Sequence, residues 1–254
     1  LYFLLGRQEI IFKRVATTQE AESKYKLALK TASVLRKVLT VEYIGITGGL
    51  AMGNAQEDDD IDLVVITSKG CLWTTRLCCL FFLALSRVKV RRYGEKEVKN
   101  KICLNLWFDR ESLSLKDRRE IYTAHEILQV KTLFDRGGVY KNFLKINQWV
   151  SQFFPKAFFS CKSLTRRTPE TQMNPISILF LKLSTFIEPV ARFLQLKYMA
   201  SKQSREIADK GRAMLHPGNW NEFIPQIFLA RLDQISRGRE FKEFTEHSSF
   251  KEVS

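Results

Sequence analysis

The sequence predicts an α/β (α+β) chain: a mixed, twisted sheet flanked by helices, followed by a helical C-terminal region. Three observations carry the prediction. Residues 41–47 and 61–67 are short runs rich in valine, isoleucine and threonine, and each stops at glycine or serine. Residues 102–108 alternate, with Ile102, Leu104, Leu106 and Phe108 on one side and Cys103, Asn105 and Trp107 on the other. Longer segments with apolar residues at helical spacing lie between and around these runs. The expected organisation is a helical segment over residues 1–40, a sheet domain over 41–135 and a helical region over 136–254.

Each element has a local reason. Residues 18–39 read as the first helix, with Thr18 as N-cap and Ala21, Tyr25, Ala28, Ala32 and Leu35 at helical spacing. The run 41–47 reaches Gly48-Gly49, residues 50–52 open a brief helix, and Gly53-Asn54 end it. The loop 55–59 is acidic, and residues 71–86 are apolar almost all round, as in a buried helix. Residues 87–101 are strongly basic, and the bland reading, a solvated hairpin face, is preferred over a nucleic-acid contact because only Tyr93 could stack on a base. Helices are expected over 116–130, 138–153, 176–199, 203–213 and 220–238, with the polar stretch 155–175 as a linker.

Composition narrows the class. The 254 residues are 45% hydrophobic and 27% charged, which supports a packed core and excludes wholesale disorder. Lys and Arg number 41 against 27 Asp and Glu, a net charge of +14 that suits a polyanionic partner such as nucleotide, nucleic acid or a membrane surface. The five cysteines form no Cys-x-x-Cys pair, which argues against a disulfide framework or zinc site and fits a cytoplasmic setting. The longest apolar stretch, 176–199, is interrupted by Lys182, Glu188, Pro189, Arg192 and Lys197, so no stable membrane insertion is expected and lying on a membrane surface is a minor alternative.

The chemistry concentrates in Gly45-Ile46-Thr47-Gly48-Gly49, ten further residues, then Asp60-Ile61-Asp62-Leu63. A strand delivers the chain to a glycine turn, where backbone N–H groups lie open to a phosphate. The next strand presents Asp60 and Asp62 on one face, since residues two apart in a strand point the same way. Two carboxylates so placed suit Mg²⁺ or Mn²⁺, which take oxygen ligands. A solvated acidic hairpin accounts for Glu57, Asp58 and Asp59, but not for Asp62 within a run as apolar as Leu63-Val64-Val65-Ile66.

This pattern resembles the signature of the nucleotidyltransferase superfamily that includes DNA polymerase β, and more specifically its minimal nucleotidyltransferase-domain proteins. The resemblance covers residues 41–109. It implies a metal-dependent enzyme that transfers a nucleoside monophosphate from an NTP to an acceptor, with Gly48 and Gly49 holding phosphate and Asp60 and Asp62 holding Mg²⁺ or Mn²⁺. It also implies a third carboxylate on a later strand, where this chain has Asn105. Asparagine offers a carbonyl oxygen but no negative charge, and Asp109, four residues on, is the substitute expected at the strand end. Lys69 and Arg76 are further phosphate candidates. The acceptor, nucleic acid, protein or small molecule, is left open, and the Asn105 departure supports an alternative: a catalytically weakened nucleotide- or RNA-binding module. His125 reads as a hydrogen-bonded structural residue, and Cys71, Cys78 and Cys79 as buried and inert.

Overall fold

A computed structural model describes residues 8–164, 175–200, 207–215 and 220–236. The chain divides into two compact units, residues 1–218 and 219–254; neither residue 40 nor residue 135 is a boundary in this division. Chain order in the first unit is α1 (Glu9–Leu35), β1 (Val41–Ile46), α2 (Gly48–Ala51), β2 (Ile61–Thr67), α3 (Leu72–Leu85), β3 (Ile102–Asp109), α4 (Ile121–Gln129), β4 (Lys131–Asp135), α5 (Val139–Ile146), α6 (Pro155–Leu164), α7 (Pro175–Met199), β5 (Ile207–Ala208) and β6 (Arg212–Met214). The second unit contributes α8 (Trp220–Ser236). The sheet is mixed, in the order β4-β1-β2-β3-β6-β5. Only β2 and β3 run parallel, joined by α3; the other pairs are antiparallel.

The strand pleat sorts side chains into two cores, one on each face. Ile44, Ile46, Ile61, Leu63 and Val65 join Leu35, Leu72, Trp73 and Leu83 from α1 and α3. Tyr43, Val64 and Ile66 join Ala124, Ile127, Tyr140, Phe143 and Trp149 on the opposite face. Both faces of β2 are therefore covered, which explains why residues 61–67 read as an almost continuous apolar run.

Four expectations are corrected. The first helix begins at Glu9 rather than residue 18, because its buried stripe extends back to Thr17 and the chain before Thr18 keeps helical geometry. The stretch read as a linker is helical through α6, whose Phe158 is buried in the second core; residues 165–174 lie outside the described residues. The helix expected over 203–213 is instead the β5–β6 pair over its described part: Asp209 Oδ1 accepts from the N–H groups of Gly211 and Arg212 at 2.8 and 2.6 Å, closing a tight turn. The strict alternation of β3 fails as well. Asp62 pairs with Cys103 but Val64 pairs with Leu106, so three steps of β3 oppose two of β2. This bulge puts Leu104 and Trp107 in the first core and Leu106 and Phe108 in the second.

Candidate metal and phosphate site

The site forms where β1 ends and β2 and β3 begin. Asp60 sits just before β2 and Asp62 is its second residue, on the face shared with Val64 and Ile66. Cys103 is the register partner of Asp62 on β3. One carboxylate oxygen from each aspartate and the Cys103 sulfur lie within 4.8 Å of one another, a spacing that could surround a metal ion. Asp60 and Asp62 thus converge as the strand spacing predicts.

Each carboxylate is held differently. Asp60 Oδ2 accepts from Arg91 Nη1 at 2.7 Å. Arg91 comes from the basic segment, whose backbone bonds to Ile102 at the start of β3, so one of those cations is built into the site and the segment is not simply a solvated face. Among the described residues Asp62 is in no ion pair, although the Arg91 charge beside Asp60 also favours its ionised form. Its Oδ1 accepts from Asn105 Nδ2 at 3.1 Å, and the Cys103 thiol donates to it. Burial, then the charge of Asp60, pushes the Asp62 carboxyl up to about 7. Burial likewise raises the Cys103 thiol well above its ordinary range, so it is a neutral donor here.

The bulge in β3 determines what Asn105 does. The side chain is only 6% exposed, turned toward Asp62, and its Oδ1 has no hydrogen-bond partner. A buried amide oxygen without a donor costs roughly 1–3 kcal/mol. This oxygen belongs to the same amide whose Nδ2 contacts Asp62, so a carbonyl oxygen without a donor stands in the neighbourhood of the candidate metal group.

Gly48 follows β1 and opens α2. It has φ +64°, and a Cβ there would lie 2.8 Å from Asp62 Oδ2. Glycine is required for both reasons. Gly49 is nearly as confined, with the Asn54 carbonyl oxygen 3.3 Å from its Cβ position. The Glu126 carboxylate on α4 lies close enough to the Gly48 N–H for that dipole to favour its charged form. Glu126 also accepts from Gln129, and burial pushes it up to about 7. The Tyr122 phenol, one turn earlier on α4, feels the charges of Glu126 and Asp62 and is raised chiefly by burial.

The acidic loop before Asp60 is fixed from α1. Lys24 is fully buried, and its Nζ donates to the carbonyls of Glu57 and Asp59 at 2.9 and 2.8 Å and to Asn100 Oδ1 at 2.9 Å. All three ammonium donors are used, which is what a buried lysine requires. Desolvation still lowers its pKa.

Three expected site residues lie elsewhere. Asp109 pairs with Thr67, five residues past Asp62, roughly 17 Å along the strand. There its carboxylate caps a turn, accepting from the N–H groups of Gly70 and Glu111. The bulge also breaks the face that Asp109 was expected to share with Asn105. Lys69 is at that same far end, exposed and paired with Glu111 at 2.8 Å. Arg76 bonds Gln195 of α7 at 2.6 Å. His125 is exposed and packs edge-on against Phe154, with its Nδ1 4.0 Å from Glu126. Cys71 and Cys79 are buried as expected but Cys78 is only half-buried; burial raises all three thiols.

Sequence reasoning missed Lys24, Arg91 and Glu126. The Thr123-Ala124-His125-Glu126 stretch drew attention to histidine. Glu126 sits between His125 and the buried Ile127, and no local pattern marks it out. A scan against protein-family models finds no match for this chain, and a search among curated proteins finds none either.

Proposed function

We propose that this chain is a nucleotidyltransferase dependent on Mg²⁺ or Mn²⁺. One observation carries the reading: the Asp60 and Asp62 carboxylates converge, Asp62 is in no ion pair among the described residues, and the Asn105 amide that contacts it has a buried oxygen without a donor. An acidic site short of positive charge in a chain of net charge +14 is suited to a divalent cation. Asp60, Asp62 and the Asn105 carbonyl would hold the ion. Cys103, neutral and donating to Asp62, would stay behind them, since hard cations favour oxygen over sulfur. When bound, the ion would supply Lewis-acid neutralisation of charge on the transferring phosphoryl group.

The protein's own share is positioning. The Gly48-Gly49 turn brings backbone close to Asp62 with no side chain between. The Gly48 N–H would serve as a phosphate donor, and the Glu126 carboxylate now faces it. An incoming triphosphate would replace that carboxylate as the anion on the turn. In the transfer, an acceptor hydroxyl oxygen bonds to the α-phosphorus, the bond to the β-phosphate oxygen breaks, pyrophosphate leaves and the hydroxyl proton passes to solvent.

A second reading, a binding module with little turnover, is favoured by Asn105 in place of a third carboxylate. One experiment separates the two: incubate the full chain with each labelled NTP, Mn²⁺ and RNA, protein or small-molecule acceptors. Transfer that disappears in Asp62→Asn supports the enzyme. Mn²⁺-dependent NTP binding without transfer to any acceptor supports the module. Absence of Mn²⁺ binding defeats both.

A further inference from the structure

The helix α7 is inside out. Its buried stripe is Ser184, Glu188, Ala191, Gln195 and Met199, mostly polar. The polar groups on that stripe have definite tasks: Glu188 accepts from the N–H groups of Trp73 and Thr74 at 2.7 and 2.8 Å, and Gln195 donates to the Trp73 carbonyl at 2.8 Å. The opposite stripe, Ile176, Leu179, Leu183, Phe186, Val190 and Phe193, is apolar and exposed, with Phe186 83% accessible. The spacing, three then four residues in turn, keeps these six side chains on one straight face of the helix. An exposed apolar band of this length marks a surface that meets something apolar.

Charge identifies the partner. The helix carries Lys182, Arg192 and Lys197, and its one acid, Glu188, is buried against α3. Beside Phe186 lies a hollow of about 620 Å³ that Lys69, Lys182 and Lys210 help to line. Lys182, Lys197 and Lys210 form no ion pair among the described residues. A two-fold contact between copies of this face would bring cations against cations, in a chain already at +14. An anionic surface with an apolar interior matches both features. Among the described residues no helix is long and apolar enough to cross a membrane, so the match is to a surface and not to a span.

We propose that α7 docks on an anionic lipid bilayer, with the stripe from Ile176 to Phe193 set among the acyl chains and Lys182, Lys197 and Lys210 at the lipid phosphates. This is independent of the metal site.

The test is flotation of the full chain with phosphatidylcholine vesicles containing roughly one-third phosphatidylglycerol. Binding is expected, falling about tenfold when salt is raised to molar strength. It should be lost in Phe186→Glu/Phe193→Glu and weakened in Lys182→Glu/Lys210→Glu, each with an unchanged circular-dichroism spectrum. These sites are exposed, so the fold does not depend on them. No flotation of the wild type, equal flotation on pure phosphatidylcholine, or flotation unaltered by the phenylalanine pair would each overturn the proposal. So would light scattering that shows a wild-type dimer, broken by the phenylalanine pair, without vesicle binding: the cover is then a second copy.

Discussion

The two ends of the central strands treat their carboxylates in opposite ways. At the far end the buried acids among the described residues have hydrogen-bond donors. Asp109 takes two backbone N–H groups, Glu188 takes two more at the start of α3, and Glu42 accepts from Ser68 Oγ at 2.7 Å and Arg110 at 3.0 Å. At the near end, Asp62 and Glu126 are both pushed up to about 7 by burial, and Asn105 keeps an oxygen with no donor. The same residue types serve as fasteners at one end and as an unfilled demand for positive charge at the other. Structural acids have their partners built in; an acid kept short of one is suited to a ligand that comes from outside.

The sharpest way to break this contrast is Asp62→Asn. Mn²⁺ affinity, read by calorimetry, should fall about a hundredfold or more. Without metal the same substitution should stabilise the fold above neutral pH, because a desolvated charge is removed. The wild type's dependence on pH follows from the same cause. The folded-state pKa of Asp62 is raised from 3.8 to about 7 and that of Glu126 from 4.5 to about 7. Between those limits the folded chain holds protons that the unfolded chain has released, so metal-free stability should fall as pH rises through this window and level off above it. Urea titrations across pH, with and without Mn²⁺, would show the decline shrink when the ion is present. A flat metal-free profile would contradict the burial argument.

At the satisfied end, Glu188→Ala should cost about 1–3 kcal/mol by urea denaturation, since it strands two buried N–H groups, and should leave Mn²⁺ affinity unchanged. Gly48→Ala should cost about 1–2 kcal/mol from its positive φ alone. Its Cβ, 2.8 Å from Asp62 Oδ2, should also weaken Mn²⁺ binding. The smallest effect expected is that of Cys103→Ser on Mn²⁺, under about threefold because the ligands are oxygens. Cd²⁺, which prefers sulfur, should lose far more affinity in that variant; equally large losses would place Cys103 among the direct ligands of both ions, and equally small ones among those of neither.

Much of this arrangement could be read along the chain. The first two strands, the glycine turn and the convergence of Asp60 with Asp62 all follow from local rules of pleat and turn chemistry; α3 forms where expected but is not buried all round, since Phe81 and Leu85 stay exposed. What could not be read depends on register and on distant partners. A single extra residue in β3 separates Trp107 from the face of Asn105 and carries Asp109 away from the site, and no periodicity announces a bulge. Glu126 reaches Gly48 from a helix more than seventy residues later in sequence. The β5–β6 pair is so short that its Asp209-Lys210-Gly211 turn was a better guide than any run of β-formers. Lys24 looked like one more surface cation, since only three-dimensional packing reveals that a lysine is enclosed.

That enclosed lysine has a practical corollary. A trimmed version of this protein starting at the first strand would keep every residue of the proposed site, yet lose the internal tether that holds the chain just ahead of Asp60 from α1. Anyone seeking a smaller working fragment should leave the N-terminal helix in place.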